Sequence, residues 1–280
     1  MTIEFPANCF ISHSYRDRSG RKKLIKSLPK HVRPYVFPPI DVQPDDMVSN
    51  SLVEAILDQD ALIFLQGGNS DHSFWVAFER DYALRAGMPV YAFNPQTRTF
   101  HPYQEKPLQL PVFISHSPYD RDQVNEIVRF MREDRFFDAA SFNFLPSTGA
   151  PRNRPVPTDK RIRQNIIEKI SRGGYVVAFL SKQACESSYV REEMELALDF
   201  GRFFTLDQSN PNSRRVLLAL LDATPLPEWL AERMRTEPDS VVKPVQLYGD
   251  KTLSTTNRID DLIVRLYWLI YRNTRQNSLV

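Results

Sequence analysis

Residues 10–14 of the chain read Phe-Ile-Ser-His-Ser, and the same five residues recur at 113–117. Each copy is followed by an Asp-Arg pair, at 17–18 in the first and at 120–121 in the second. A short apolar run that ends in polar residues is typical of a buried strand leading into a loop and a helix. The repeat therefore predicts two copies of one structural unit, each beginning with such a strand.

The similarity between the two copies continues beyond the first strand. The apolar run 61–65 matches 175–179, and the segment after it carries the same pattern in both copies. This later match has a shift of 114 residues, whereas Ser12 and Ser115 differ by 103, so the second copy contains 11 additional residues. The insertion falls near 146–158, a stretch rich in Pro, Ser, Gly and Arg that predicts a loop.

Both copies alternate short apolar runs with helical segments, which predicts an α/β fold with parallel sheets covered by helices on both faces. In the first copy the predicted strands are 8–12, 35–37, 61–65 and 89–93, and the predicted helices are 19–28, 48–57 and 73–87. In the second copy the strands are 112–115, 139–144, 175–180, 215–221 and 244–247, and the helices are 120–132, 159–171, 187–201 and 258–271.

The length of 280 residues exceeds one average domain of about 150 residues and agrees with two globular units. Prolines at 102 and 107 punctuate a polar segment between the copies. We therefore expect one domain at 1–105 and a second at 106–280.

Composition excludes several classes of function. The net charge of +2 provides no overall field that would attract nucleic acid or an anionic membrane. The two cysteines form no CxxC pair and the five histidines show no HxxxH spacing, so we expect neither a disulfide framework nor a metal site. The glycines make no GxGxxG, GxxxxGK or GxSxG motif. The amino terminus lacks a signal-peptide pattern and no apolar run reaches about 20 residues, which predicts a cytoplasmic protein without a membrane span.

The ordered set of motifs resembles the TIR (Toll/interleukin-1 receptor) domain in its bacterial form. The set consists of a first strand ending in FISHS, an Asp-Arg pair, and a helix opening with S-x-W-V-x-x-E at 73–79 or S-x-Y-V-x-x-E at 187–193. The resemblance covers almost the whole chain as two copies and implies flavodoxin-like sheets in both. The first copy is short against this pattern, so we expect it to lack the usual last strand and helix.

The resemblance also implies a function. Catalytic TIR domains cleave the nicotinamide-ribose bond of NAD⁺, and bacterial members are linked to defence against phage. Their essential glutamate lies four residues after the aromatic residue of the helix motif, which selects Glu79 and Glu193 here. By the same resemblance, the substrate-binding residues are Ser12, Ser73, Trp75, Ser115, Ser187 and Tyr189.

Further expectations concern partners. NAD⁺ is expected as the substrate, and no cofactor is expected. The resemblance implies a homo-oligomer or TIR–TIR assembly, together with contacts to other defence proteins, and we expect neither a membrane nor a nucleic acid as a partner.

The chemistry of NAD⁺ gives an independent reason for a glutamate at this position. Nicotinamide is a cationic leaving group, so its departure needs no strong acid but creates an oxocarbenium-like ribose that a carboxylate stabilises. On a helix, Trp75 and Tyr82 share a face with Glu79, which predicts an aromatic wall beside the carboxylate.

Structural alternatives stand beside each of these roles. The serines at the strand ends are also typical helix caps, a Glu on an amphipathic helix is commonly solvated, and a Trp commonly belongs to the core. At the level of the whole protein, the alternatives are a non-catalytic self-associating scaffold and an enzyme similar to nucleoside deoxyribosyltransferases.

Two clusters of basic residues each allow two interpretations, a solvated surface or a contact to phosphate. The first comprises Arg16, Arg18, Arg21, Lys22, Lys23, Lys26, Lys30 and Arg33. The second comprises Arg152, Arg154, Lys160, Arg161 and Arg163, beside the insertion, where the resemblance implies an assembly interface.

Overall fold

A computed structural model of the chain divides it into two compact units, residues 1–109 and residues 110–280. The predicted boundary at 105 lies four residues from this division. The structure describes residues 3–37, 51–107, 112–137, 140–141, 175–203, 216–236, 241–249 and 255–276. The predicted helix 159–171, the insertion 146–158 and the second basic cluster lie outside the described residues.

The first unit is built on a five-stranded sheet with the order β2-β1-β3-β4-β5. Neighbouring strands are parallel except for β4 and β5, which form an antiparallel pair. Its strands are β1 (Asn8–Ser12), β2 (Arg33–Tyr35), β3 (Ala61–Leu65), β4 (Val90–Asn94) and β5 (Thr99–Pro102). Its helices are α1 (Arg18–Ser27), α2 (Ser51–Leu57) and α3 (Phe74–Arg85).

Burial explains why the central strands read as unbroken apolar runs. Every residue of β3 is buried, as expected for a strand covered on both faces. Successive side chains point to opposite faces of a sheet. Ile11 packs in a cluster with Leu24 of α1, whereas its neighbour Ser12 bonds to α3. The helices α1 and α3 therefore cover opposite faces, and α3 lies over the end of β1.

The second unit has a five-stranded sheet with the order β10-β9-β8-β6-β7, and every described pairing in it is parallel. Taken in chain order this is the 2-1-3-4-5 arrangement of a doubly wound sheet. Its strands are β6 (Val112–Ser115), β7 (Ala140–Ser141), β8 (Tyr175–Leu180), β9 (Val216–Leu220) and β10 (Val241–Gln246). Its helices are α4 (Arg121–Glu133), α5 (Lys182–Cys185), α6 (Ser188–Phe203), α7 (Glu228–Thr236) and α8 (Thr255–Gln276).

The two units differ at the fifth strand. In the first unit this place belongs to β5, an antiparallel edge strand that the sequence analysis did not predict. It follows β4 through a tight turn, and Phe100 packs its ring against Phe93 at 4.7 Å. A hairpin thus completes the first sheet, where the second unit uses a parallel strand followed by a long helix.

The long helix α8 has 22 residues and an apolar stripe that is buried in the second unit. The stripe includes Ile259, Leu262, Ile263, Leu266 and Leu269, as its 3.6-residue spacing predicts. Among the described residues, no helix is both long and apolar enough to cross a membrane.

A buried ion pair joins α8 to the segment after α4. Arg135 Nε donates to Asp260 Oδ1 at 2.7 Å and its Nη2 donates to Oδ2 at 3.3 Å, and both side chains are buried. The Arg135 guanidinium also lies over the Phe130 ring at 4.7 Å. A two-point contact of this kind fixes the angle at which the guanidinium meets the carboxylate. It therefore helps to fix the position of α8 relative to the segment after α4.

We predict that Asp260→Ala lowers the free energy of unfolding by about 3–5 kcal/mol, because it leaves the Arg135 charge buried without this carboxylate. Urea denaturation measures the change. The double variant Arg135→Met/Asp260→Leu should recover most of the loss, and Asp122→Ala on the exposed side of α4 is the control. A cost for Asp260→Ala no larger than for Asp122→Ala would contradict the prediction.

Candidate functional site

The first unit contains a buried serine–glutamate pair. Ser12 is the last residue of β1 and has no exposed surface, and Glu79 in α3 is 6% exposed. The Ser12 Oγ donates to Glu79 Oε2 at 2.5 Å. The carboxylate that the sequence analysis selected therefore points into the molecule, toward the carboxyl end of the first strand, where open α/β sheets bind ligands.

Local sequence explains why Glu79 reaches this place. Ser73 begins α3 as its N-cap, with its Oγ accepting from Val76 N at 3.4 Å. From that start, Glu79 falls on the face that packs on the sheet, together with Phe78 and Tyr82, both of which are fully buried.

Burial changes the acid strength of Glu79. Desolvation raises the pKa of its carboxyl to about 8, and the hydrogen bond from Ser12 opposes this rise only in part. The carboxyl is consequently held largely in its protonated form near neutral pH. A cation that enters beside it would favour the carboxylate form and lower the pKa again.

The second unit repeats the pair at the equivalent place. Ser115, the last residue of β6, donates through Oγ to Glu193 Oε2 in α6, and the two side chains are 1% and 4% exposed. Burial raises the pKa of Glu193 to about 7, with a further increase from the nearby negative charge of Glu192. Because Glu192 is only half-buried, Glu193 is the member of the Glu-Glu sequence that matches Glu79.

The other two predicted serines cap helices. Ser187 accepts from Val190 N at 3.4 Å, as Ser73 accepts from Val76 N. Both residues are half-buried, and the structure shows them in a capping role that the sequence analysis did not assign to them.

Of the two aromatic residues predicted to line Glu79, Trp75 is partly exposed and Tyr82 belongs to the core. Trp75 is half-buried, with its ring 5.0 Å from Phe74 and 6.4 Å from Phe78, both edge to face. Tyr189, its counterpart, is also half-buried. Tyr82 is 1% exposed and its ring lies 5.6 Å from Phe78, so it belongs to the core and leaves Trp75 as the partly accessible ring on this helix.

A carboxylate clamp, which the sequence analysis did not predict, lies beside the first pair. Asp17 accepts from the backbone N and Nδ2 of Asn69, at 3.2 and 2.8 Å, and from the backbone N and Oγ of Ser70, both at 2.7 Å. Ser70 Oγ in turn accepts from Ser14 N at 3.0 Å. These bonds tie the loop after β1 to the loop after β3, and they lower the pKa of Asp17 although its partial burial opposes the shift.

The second unit has a related contact at the repeated Asp-Arg pair. Asp120 accepts from Ser181 Oγ at 2.6 Å, and this hydroxyl also accepts from Ala184 N. Here burial, joined by the charge of Asp222, raises the pKa of Asp120 despite the hydrogen bond. The recurrence of Asp-Arg after FISHS is the sequence signal that points to both clamps.

The histidines of the two FISHS segments lie near arginines, His13 buried and His116 half-buried. His13 is 8% exposed and its Nε2 lies 3.3 Å from Arg21 Nη1. Burial, and then the positive charge of Arg21, lower the pKa of His13, and burial and Arg121 do the same for His116. The imidazoles of His13 and His116, which directly follow Ser12 and Ser115, are therefore neutral near pH 7. Within the described ranges, no three His, Cys, Asp or Glu side chains cluster in a way that would hold a metal ion.

We predict that Glu79 contributes stability that is lost as pH rises from 4.5 to about 8, because the folded unit holds its carboxyl protonated and the unfolded chain does not. Each such group contributes a slope of at most about 1.4 kcal/mol per pH unit. Glu79→Gln should remove its share of this slope, whereas Glu126→Gln on the exposed side of α4 should not. Urea denaturation across this pH range gives the slopes, and equal slopes for the two variants would refute the prediction.

Comparison with known proteins finds a family match within the second unit. Residues 112–239 match the family model described as TIR domain. The matched segment includes Ser115, Ser187, Tyr189 and Glu193. No curated protein matches the chain at a significant level. The chain therefore contains a TIR domain at residues 112–239.

Proposed function

We propose that the protein is a tandem TIR enzyme that cleaves the nicotinamide-ribose bond of NAD⁺, with one site in each unit. The observation that carries the proposal is the buried Ser–Glu pair, which recurs at the same strand end and the same helix in both units. The family match covers residues 112–239 of the second unit, and the repeated motifs and equivalent pair support the same assignment for the first.

The environment of each glutamate suits this reaction. The carbon–nitrogen bond between ribose and nicotinamide breaks with its electron pair passing to the ring nitrogen, so the nicotinamide leaves neutral and positive charge develops on the ribose. A carboxylate in a poorly hydrated site stabilises that charge far more strongly than it would in water. Glu79 and Glu193 are both buried, so each provides such a site once the cationic nicotinamide ring has lowered the pKa of the carboxyl and its proton has passed to water.

The paired serine has a positioning role. Its Oγ–H donates to the carboxylate and fixes the direction of the Oε2 atom, and the carboxylate form strengthens this hydrogen bond. Attack by water, or by another nucleophile of the substrate, on the ribose carbon completes the reaction and releases a proton. We assign hydrolysis and cyclisation jointly, as the two outcomes of this second step.

The wider setting is proposed on the TIR assignment. We place the protein in the cytoplasm as an effector or signal producer in bacterial defence against phage. It would act as a homo-oligomer or TIR–TIR assembly and together with other defence proteins. Glu79 and Glu193 are both buried in the single chain. Assembly is a means of making the two carboxyl groups accessible to the substrate.

The same burial of the two glutamates favours one other function, a non-catalytic TIR scaffold. Exposures of 6% and 4% leave little of either carboxyl accessible to a substrate. In a scaffold the Ser–Glu pairs would serve only to fasten α3 and α6 to their sheets. Activity measurements on matched variants separate the two functions.

We predict that the concentrated protein releases nicotinamide from NAD⁺, measured by chromatography. Glu79→Gln/Glu193→Gln should lower the rate at least about a hundredfold, since a neutral amide cannot offset the ribose charge. The single variants show how much each unit contributes, and Glu126→Gln is the matched control. Gel filtration establishes that each variant keeps the assembly state of the unaltered protein.

Unchanged nicotinamide release by the double variant would overturn the proposed site. Absence of release from the assembled, unaltered protein, together with a cellular effect that survives the double substitution, would establish the scaffold. Release of a base from nucleosides, with NAD⁺ left intact, would instead identify a deoxyribosyltransferase-like enzyme.

The pH dependence of catalysis provides a second test. The carboxylate is the active form, so kcat/KM should rise with pH through the pKa of the free site. The Glu193→Gln variant retains Glu79 and should show its half-maximal value near pH 8, whereas Glu79→Gln should show it near pH 7. Activity that rises as pH falls through this range would contradict a carboxylate role.

A further inference from the structure

The first unit has a basic cleft, on the opposite face of the sheet from Glu79. The cleft has a volume of about 500 Å³ and lies between α1 and the turn that joins β4 to β5. Five cationic side chains line it, those of Arg18, Lys22, Lys23, Lys26 and Arg98. The first four belong to the basic cluster that the sequence analysis identified, and the structure adds Arg98 from a distant part of the chain.

The spacing of α1 explains how four cations reach one cleft. Arg18, Lys22 and Lys26 are each four residues apart and form one row along the helix, and Lys23 lies in the adjacent row. Leu24 is buried against the sheet, which turns these rows outward. The sheet therefore orients the helix so that its charged rows face the turn after β4.

The turn presents Arg98 from the other side. Asn94 organises it, since its Oδ1 accepts from Gln96 N at 2.9 Å and from Thr97 N at 3.2 Å, and its carbonyl accepts from Arg98 N at 2.9 Å. Arg98 has a φ of 57°, a left-handed conformation that is uncommon for residues other than glycine. Lys23 Nζ also reaches Pro95 O in the same turn, at 3.5 Å. The helix and the turn thus hold the five cations around one space.

No acidic side chain among the described residues forms an ion pair with any of the five cations. The first turn of α1 has no acidic residue, and the adjoining Asp17 directs its carboxylate to Asn69 and Ser70. Five positive charges around one cleft repel one another, and this repulsion is relieved when an anion enters.

We propose that this cleft binds a small polyphosphorylated molecule carrying three or more negative charges. A volume of about 500 Å³ lies within the range of about 300–1,000 Å³ that small-molecule sites occupy. Lysine and arginine are the residues that recognise phosphate groups. None of the described residues that line the cleft is aromatic, so it lacks the stacking surface of a single-stranded nucleic-acid site.

The proposal is independent of the NAD⁺ reaction, because no lining residue belongs to either Ser–Glu pair. Its test uses the full-length protein and inorganic triphosphate as the probe, with isothermal titration calorimetry as the measurement. Triphosphate should bind at least about tenfold more tightly than adenosine monophosphate, since it brings more charge to the same cations. The affinity should fall as salt is added.

Lys22→Gln/Lys26→Gln/Arg98→Gln should weaken triphosphate binding by at least about tenfold. The matched control is Lys30→Gln/Arg33→Gln/Lys106→Gln, which removes the same charge from three exposed positions of the same unit and should change the affinity less than about twofold. Glu79→Gln should leave triphosphate binding unchanged, which separates this cleft from the proposed catalytic site.

Three results would overturn the proposal. The first is no binding of triphosphate by the unaltered protein, and the second is an equal loss in the control variant, which would reveal only general attraction to a basic surface. The third is tighter binding of a short single-stranded RNA than of triphosphate with the same dependence on Lys22, Lys26 and Arg98, which would assign the cleft to nucleic acid.

Discussion

A carboxyl group buried under a serine hydroxyl is the constraint around which each unit is arranged. A buried carboxyl is costly unless it is hydrogen-bonded or stays protonated, and both conditions hold for Glu79 and Glu193. The bond requires the first strand to end at its serine and a later helix, α3 in the first unit and α6 in the second, to bring its glutamate over that end. Strand, helix cap and helix register are therefore tied together by one contact in each unit.

The two units meet this constraint with different surroundings. Phe78 and Tyr82 pack beside Glu79, whereas Glu192 places a second carboxyl next to Glu193. The first unit closes its sheet with an antiparallel hairpin, and the second continues with a parallel strand and the long helix α8. The same pair is thus retained on two differently completed sheets.

Polar contacts outside the pair hold the loops at the strand ends. In the first unit Asp17 accepts four hydrogen bonds from the loop after β3, and in the second Asp120 accepts from Ser181. These contacts order the edge of the sheet at which the serines lie. They also occupy Asp17, so that this carboxylate does not neutralise the basic rows of the adjoining helix α1.

Sequence by itself determined the features that depend on local pattern and repetition. Apolar runs and helical spacing predicted the central strands and most of the described helices close to their observed positions, because burial on both faces of a sheet demands such runs. The aligned motifs also singled out Ser12, Glu79, Ser115 and Glu193, although their pairing was not predicted. The hairpin strand β5 was not predicted, because it is a short, largely exposed edge strand with few apolar residues.

Only the tertiary structure decided which groups meet. Ser12 and Glu79 are 67 residues apart, and Ser115 and Glu193 are 78 apart, so no local pattern reports their hydrogen bonds or the desolvation that raises the two pKa values. The same holds for Asp17 with Asn69 and for Arg98 opposite α1. Packing of strands and helices brings these distant residues together, whereas sequence spacing describes only neighbours along one element.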